Sequence, residues 1–112
     1  MQKKSNKFVK IRKDLKNVLK KENVLEVVVF GSYVKGKPNP EDIDVAIIVS
    51  QDTKIKLDEK YHVSIINLKD IFIEPIGLLN TLLREGFSIR HEKKFSEVFK
   101  FTPKLIFTYI LK

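Results

Sequence analysis

Two seven-residue stretches, Val24–Phe30 (Val-Leu-Glu-Val-Val-Val-Phe) and Ile43–Val49 (Ile-Asp-Val-Ala-Ile-Ile-Val), constrain this chain more than any other feature. The first is apolar but for Glu26, the second but for Asp44 near its start. Such runs do not suit a strand with one wet face. They predict strands covered on both faces, hence a sheet with layers packed on each side. The longest uninterrupted apolar run, Val45–Val49, is five residues, far below the ~20 that span a bilayer.

The rest of the chain supplies the cover. Phe8, Ile11, Leu15, Val18 and Leu19 recur at helical spacing and predict an N-terminal helix with one apolar stripe. Gly31-Ser32 ends the first strand. Residues 33–41, with Pro38, Pro40, Gly36 and Asn39, read as a loop after at most one helical turn. A third strand is expected at about His62–Leu68, as an antiparallel neighbour of the second, since the polar stretch Gln51–Lys60 has no apolar face for a helix. Pro75 suits the first turn of a helix running to about Arg84, with Ile76, Leu79, Leu82 and Leu83 inward and Gly86 as its C-cap. Phe87–Arg90 reads as a short strand, Phe95–Phe99 as a helical turn and Leu105–Leu111 as a terminal strand. The expected class is α+β, an α/β mixed sheet with helices packed on it, forming a single domain over residues 1–112.

Charge is distributed unevenly. Of 22 basic and 14 acidic residues, nine basic and one acidic (Asp14) lie in residues 1–21, so that segment holds +8. The remainder has 22 − 9 = 13 basic and 14 − 1 = 13 acidic residues and is neutral. The whole excess therefore sits on the N-terminal helix, whose polar face could meet nucleic acid or an acidic partner, or simply be solvated. With no cysteine, disulfide frameworks and thiolate metal sites are excluded. A cytoplasmic location is the expectation, with no membrane segment and no signal peptide.

The chemistry concentrates at the junction of the two apolar strands. Asp42 and Asp44, at i and i+2, project to one face of the second strand, while Ile43 and Val45 project to the other. Two carboxylates held that close repel unless a cation lies between them. Mg²⁺ suits them, because it keeps waters and takes one or two carboxylates plus substrate phosphates. Gly31 permits close backbone approach, and the amides of the turn it opens, with the Ser32 hydroxyl, offer an anion site. A phosphate cradle beside a carboxylate-bound metal is what in-line phosphoryl or nucleotidyl transfer needs.

The pattern Phe30-Gly31-Ser32, nine residues, then Asp42-Ile43-Asp44-Val45 resembles that of the polymerase beta-like nucleotidyltransferase superfamily. The length is similar to that of its smallest members, the minimal nucleotidyltransferases, which often pair with HEPN-domain proteins as toxin–antitoxin modules. The resemblance implies a nucleotidyltransferase-like core in which Gly31 and Ser32 hold a nucleoside triphosphate, while Asp42 and Asp44 bind Mg²⁺ (or Mn²⁺). It implies transfer of a nucleoside monophosphate to a hydroxyl, with a HEPN-like protein as partner. At this size a partner chain or a homodimer would complete the cleft.

One position departs from the family. Its third carboxylate corresponds to Ser64 in Val63-Ser64-Ile65-Ile66. His62, on the same face, could serve instead as base or ligand. The rival reading is a catalytically weakened domain that binds a HEPN-like partner or nucleic acid. Lys35 and Lys37 could neutralise phosphate, Tyr33 could stack on a base or cover the core edge, and His91, among charged neighbours, reads as exposed.

Overall fold

A computed structural model describes residues 3–36, 42–70 and 76–101. Among them, helices α1 (Lys3–Asp14) and α2 (Lys16–Leu19) lead into β1 (Val24–Phe30), β2 (Ile43–Val49) and β3 (Tyr61–Asn67). A 3₁₀ turn (Leu68–Asp70), α3 (Ile76–Glu85), β4 (Phe87–Ser88), β5 (Lys93–Lys94) and α4 (Phe95–Phe101) follow. The strands form one mixed sheet of order β3-β2-β1-β4-β5, and the α+β class is as expected.

Period-two alternation divides the sheet's side chains between two cores. On one face Val27, Val29, Val45 and Ile47 pack with Ile11 of α1, Val18 of α2 and Leu15 between the two helices. On the other, Val28, Ala46, Ile48 and Ile66 pack with Leu82 of α3 and Phe95 of α4. Burying each large side chain of the helix stripe contributes roughly 1.5–3 kcal/mol, which is what docks so highly charged a helix. Both apolar runs lie where continuous hydrophobicity predicts, and β1 and β2 pair antiparallel from Phe30↔Asp44 to Val24↔Val49, with a bulge at Val24/Glu26.

One expectation fails, with consequences for the site. β3 lies beside β2 but runs parallel to it, in the register Ile43↔Tyr61 through Val49↔Asn67. Residues 50–60 contain no Gly, Pro or Asn and so supply no tight-hairpin turn. Instead they cross back over the sheet, with Ile55 and Leu57 turned against the first core and the alternating Lys54 and Lys56 exposed. Eleven extended residues can cover about 36 Å, more than the length of a seven-residue strand.

Smaller differences have local causes. Gly86 does not take the left-handed conformation of a helix cap; its N–H donates to Leu82 O at 2.8 Å, and a side chain there would collide with that carbonyl and with Val28 Cγ1. β5 has no signal in the sequence, and α4 runs to Phe101 rather than ending at Phe99. His91 is not an idle surface residue: its Nδ1 lies 2.8 Å from Glu26 Oε2, and the buried Ser88 hydroxyl donates to Glu26 Oε1 at 2.7 Å. The polar break in β1 is thereby partnered. Tyr33 covers the core edge, its ring edge-on to Phe8 at 6.2 Å. The strand expected at Leu105–Leu111 lies outside the described residues, as does Lys37. No helix among the described residues is long and apolar enough to cross a membrane.

Candidate functional site

The antiparallel pairing of β1 and β2 brings the two halves of the sequence pattern to one edge of the sheet. Phe30 pairs with Asp44, so the turn that starts at Gly31 faces the strand entry carrying Asp42 and Asp44. Gly31 has φ +84°, in the region that disfavours a side chain. A Cβ built there would overlap Asp44 Oδ2. The positive φ requires glycine, and a side chain there would in addition make the Asp44 carboxylate turn away.

The turn is a single helical winding. Val34 and Lys35 N–H groups donate to Gly31 O at 3.1 and 3.3 Å, and Gly36 N–H donates to Tyr33 O at 3.2 Å. Ser32 is exposed at its start. Ile43 and Val45 are buried in the first core, which fixes the pleat so that Asp42 and Asp44 share the opposite face. The Asp42 side chain is 72% exposed and that of Asp44 36%. Solvent and a ligand can reach both.

Parallel pairing of β3 adds a residue that the antiparallel expectation would have sent to the far end of the sheet. His62 is the register partner of Asp44. Its Nε2 lies 3.3 Å from Asp42 Oδ1 and its Nδ1 3.9 Å from Asp44 Oδ1, so the imidazole spans the two carboxylates. Ser64 stands one row further along the same face as the partner of Ala46, half-buried. In this register the β3 positions next to Asp44 therefore carry His62 and Ser64 and no acid.

Glu85, which the sequence did not single out, closes the other side of the turn. Its Oε2 accepts the Gly31 N–H at 2.9 Å, and its Oε1 lies 3.2 Å from Lys35 Nζ. Only the fold reveals it, because 54 residues separate it from Gly31.

Among the described residues, no three His, Cys, Asp or Glu side chains gather closely enough to enclose a metal ion. The aspartate pair is an open donor set of two carboxylates on an accessible edge. Its chemistry fits a hard divalent cation that keeps waters and draws its remaining oxygens from a phosphate, and does not fit a closed all-protein cage.

A family model described as "Polymerase beta, Nucleotidyltransferase" matches residues 13–95, a span holding every residue of the site. No curated protein matches the chain. Among solved structures, a chain from a doubly mutated toxin–antitoxin MntA-HpeT is 17% identical, with 71% of this chain and 69% of that one covered at a TM-score of 0.44. A chain from a toxin–antitoxin with AMP-PNP is 19% identical, with 76% and 71% covered at a TM-score of 0.43.

Proposed function

Because the chain belongs to the polymerase beta nucleotidyltransferase family, we propose that it transfers a nucleoside monophosphate from a nucleoside triphosphate to a hydroxyl group, with pyrophosphate as the leaving group. The single observation that carries this reading is the Phe30↔Asp44 pairing, which sets the Gly31 turn against the carboxylates of β2. Asp42 and Asp44 would hold Mg²⁺ or Mn²⁺, which when bound neutralises the triphosphate and polarises the attacked phosphorus. Gly31 and Ser32 would receive the triphosphate, the glycine through absence of a side chain and the serine through its hydroxyl. His62, within 3.9 Å of both carboxylates, would be the group on β3 to take the proton of the acceptor hydroxyl.

In this reading residues 1–112 form one nucleotidyltransferase domain, and the acceptor resides on another molecule. The 72% exposure of the Asp42 side chain supports this, since a second molecule can approach it. A partner of the HEPN type, in a toxin–antitoxin module, is the protein acceptor that the sequence resemblance suggests.

The missing acid on β3 favours a second reading, a weakened domain that binds nucleotide or partner without turnover. Transfer of label from α-³²P nucleoside triphosphates to a co-purified candidate partner separates the two. Label that depends on Mg²⁺ or Mn²⁺ and vanishes in the Asp42→Asn, Asp44→Asn double variant is the expected result. Tight binding of triphosphate with no transfer to any acceptor supports the second reading instead.

A further inference from the structure

Glu85 ends α3, where a carboxylate meets the negative pole of the helix dipole. Its side chain is only 13% exposed. A carboxylate in that position raises the free energy of the fold unless specific partners offset it. Both partners come from the segment between β1 and Asp42: the Gly31 N–H at 2.9 Å and Lys35 Nζ at 3.2 Å.

Gly31 is consequently held between two carboxylates. Glu85 takes its N–H, while the Asp44 carboxylate is placed so that a Cβ on Gly31 would make Oδ2 move. A shift of the Gly31 backbone would change the space left to Asp44 Oδ2, and hence the direction in which that oxygen points. Lys35 is drawn to the same anchor, although its side chain is mostly exposed. One carboxylate thus holds the Gly31 backbone beside Asp44 and pairs with Lys35 of the same turn.

We propose that Glu85 is a positioning residue of the nucleotide site, acting through Gly31 on the Asp44 carboxylate and through Lys35 on the triphosphate. The proposal rests on the function proposed above. Groups that orient ligands from behind them in this way typically change metal affinity by about 10- to 100-fold when lost.

The test uses the full chain, with Mn²⁺ binding followed by the electron paramagnetic resonance of free Mn²⁺, with and without ATP, at a temperature well below unfolding. Glu85→Ala, which removes the anchor, and Glu85→Asp, which keeps the charge but falls one methylene short of Gly31, should each weaken Mn²⁺·ATP binding by about tenfold or more. Glu85→Gln retains an oxygen that can accept the Gly31 N–H but gives up the Lys35 ion pair, so it should weaken Mn²⁺·ATP binding by about threefold, less than either other variant. The aspartate variant provides the answer if the alanine variant does not fold. A purely structural role would lower the melting temperature of the variants and leave the Mn²⁺·ATP affinity of the folded protein unchanged. That result, with the parent chain binding normally, overturns the role of Glu85 alone. Failure of the parent chain itself to bind Mn²⁺·ATP overturns the nucleotide site and the positioning role with it.

Discussion

Gly31 and Asp44 are in contact at the end of the β1–β2 pair, the glycine Cα lying where any side chain would overlap Asp44 Oδ2. Chain geometry and site chemistry therefore depend on the same residue.

Gly31→Ala should be costly on both counts. The left-handed φ of +84° adds about 1–2 kcal/mol of strain for an L side chain, and the overlap must be relieved by moving Asp44. Thermal unfolding should show a melting temperature lower by several degrees. Calorimetric titration with Mg²⁺·ATP should show binding weakened beyond what the loss of stability explains. Unchanged binding in a destabilised variant would separate the turn from the site.

Ser64→Asp should restore a carboxylate one row from Asp44, on the face that also presents His62. If a missing base limits transfer, the variant should gain on the order of 10²-fold in rate. Single-turnover transfer measures it directly. No gain, combined with loss of activity in His62→Ala, would assign the proton transfer to the histidine.

The pH dependence of stability has opposing contributions from two carboxyl groups. Burial raises the pKa of Glu26 despite the Ser88 hydrogen bond and the nearby His91 and Arg90 charges. Its folded form binds a proton more tightly than the unfolded chain does, so stability should fall as pH rises from the usual glutamate range through the raised value. For Asp14, the Tyr61 hydrogen bond and Lys60 lower the pKa. Its contribution is therefore present above the usual aspartate range and lost as pH falls through the lowered value. Urea unfolding across pH should show Glu26→Gln flattening the first limb. Tyr61→Phe, which removes a 2.8 Å hydrogen bond to Asp14 Oδ2, should flatten the acid limb. A Glu26→Gln profile parallel to the parent's would show that another group governs the first limb.

Lys10, Lys13 and Lys20 are exposed, while Ile11, Leu15 and Val18 of the same N-terminal segment are buried. Changing the three lysines to Gln should leave the melting temperature within about 2 °C. If α1 and α2 contact nucleic acid or an acidic partner, the change should weaken that association and reduce its salt slope by about 0.9 per lysine in contact with duplex DNA. Fluorescence anisotropy over a salt series distinguishes this from a solvated face, for which both slope and affinity stay as they were.

What could be read without the fold was whatever depends on neighbours in sequence. Strand spans β1 and β2 followed from their continuous hydrophobicity, the amphipathic stripe of α1 and α2 from its spacing, and the shared face of Asp42 and Asp44 from the pleat, because each reflects a period of two or 3.6 within a single segment. The Gly31-Ser32 turn and the positions of Asp42 and Asp44 were legible for the same reason, since nine residues separate them in the sequence. The direction of β3 was not, because it is set by the crossover of residues 50–60, whose Ile55 and Leu57 gain from packing on the sheet rather than from any local turn. That direction alone decides that His62 meets Asp42 and Asp44. Likewise Glu85 on Gly31 and His91 on Glu26 join residues 54 and 65 positions apart, and partnerships of that range become visible only when packed layers bring distant polar groups to a common edge, where burial makes it costly to leave them without partners.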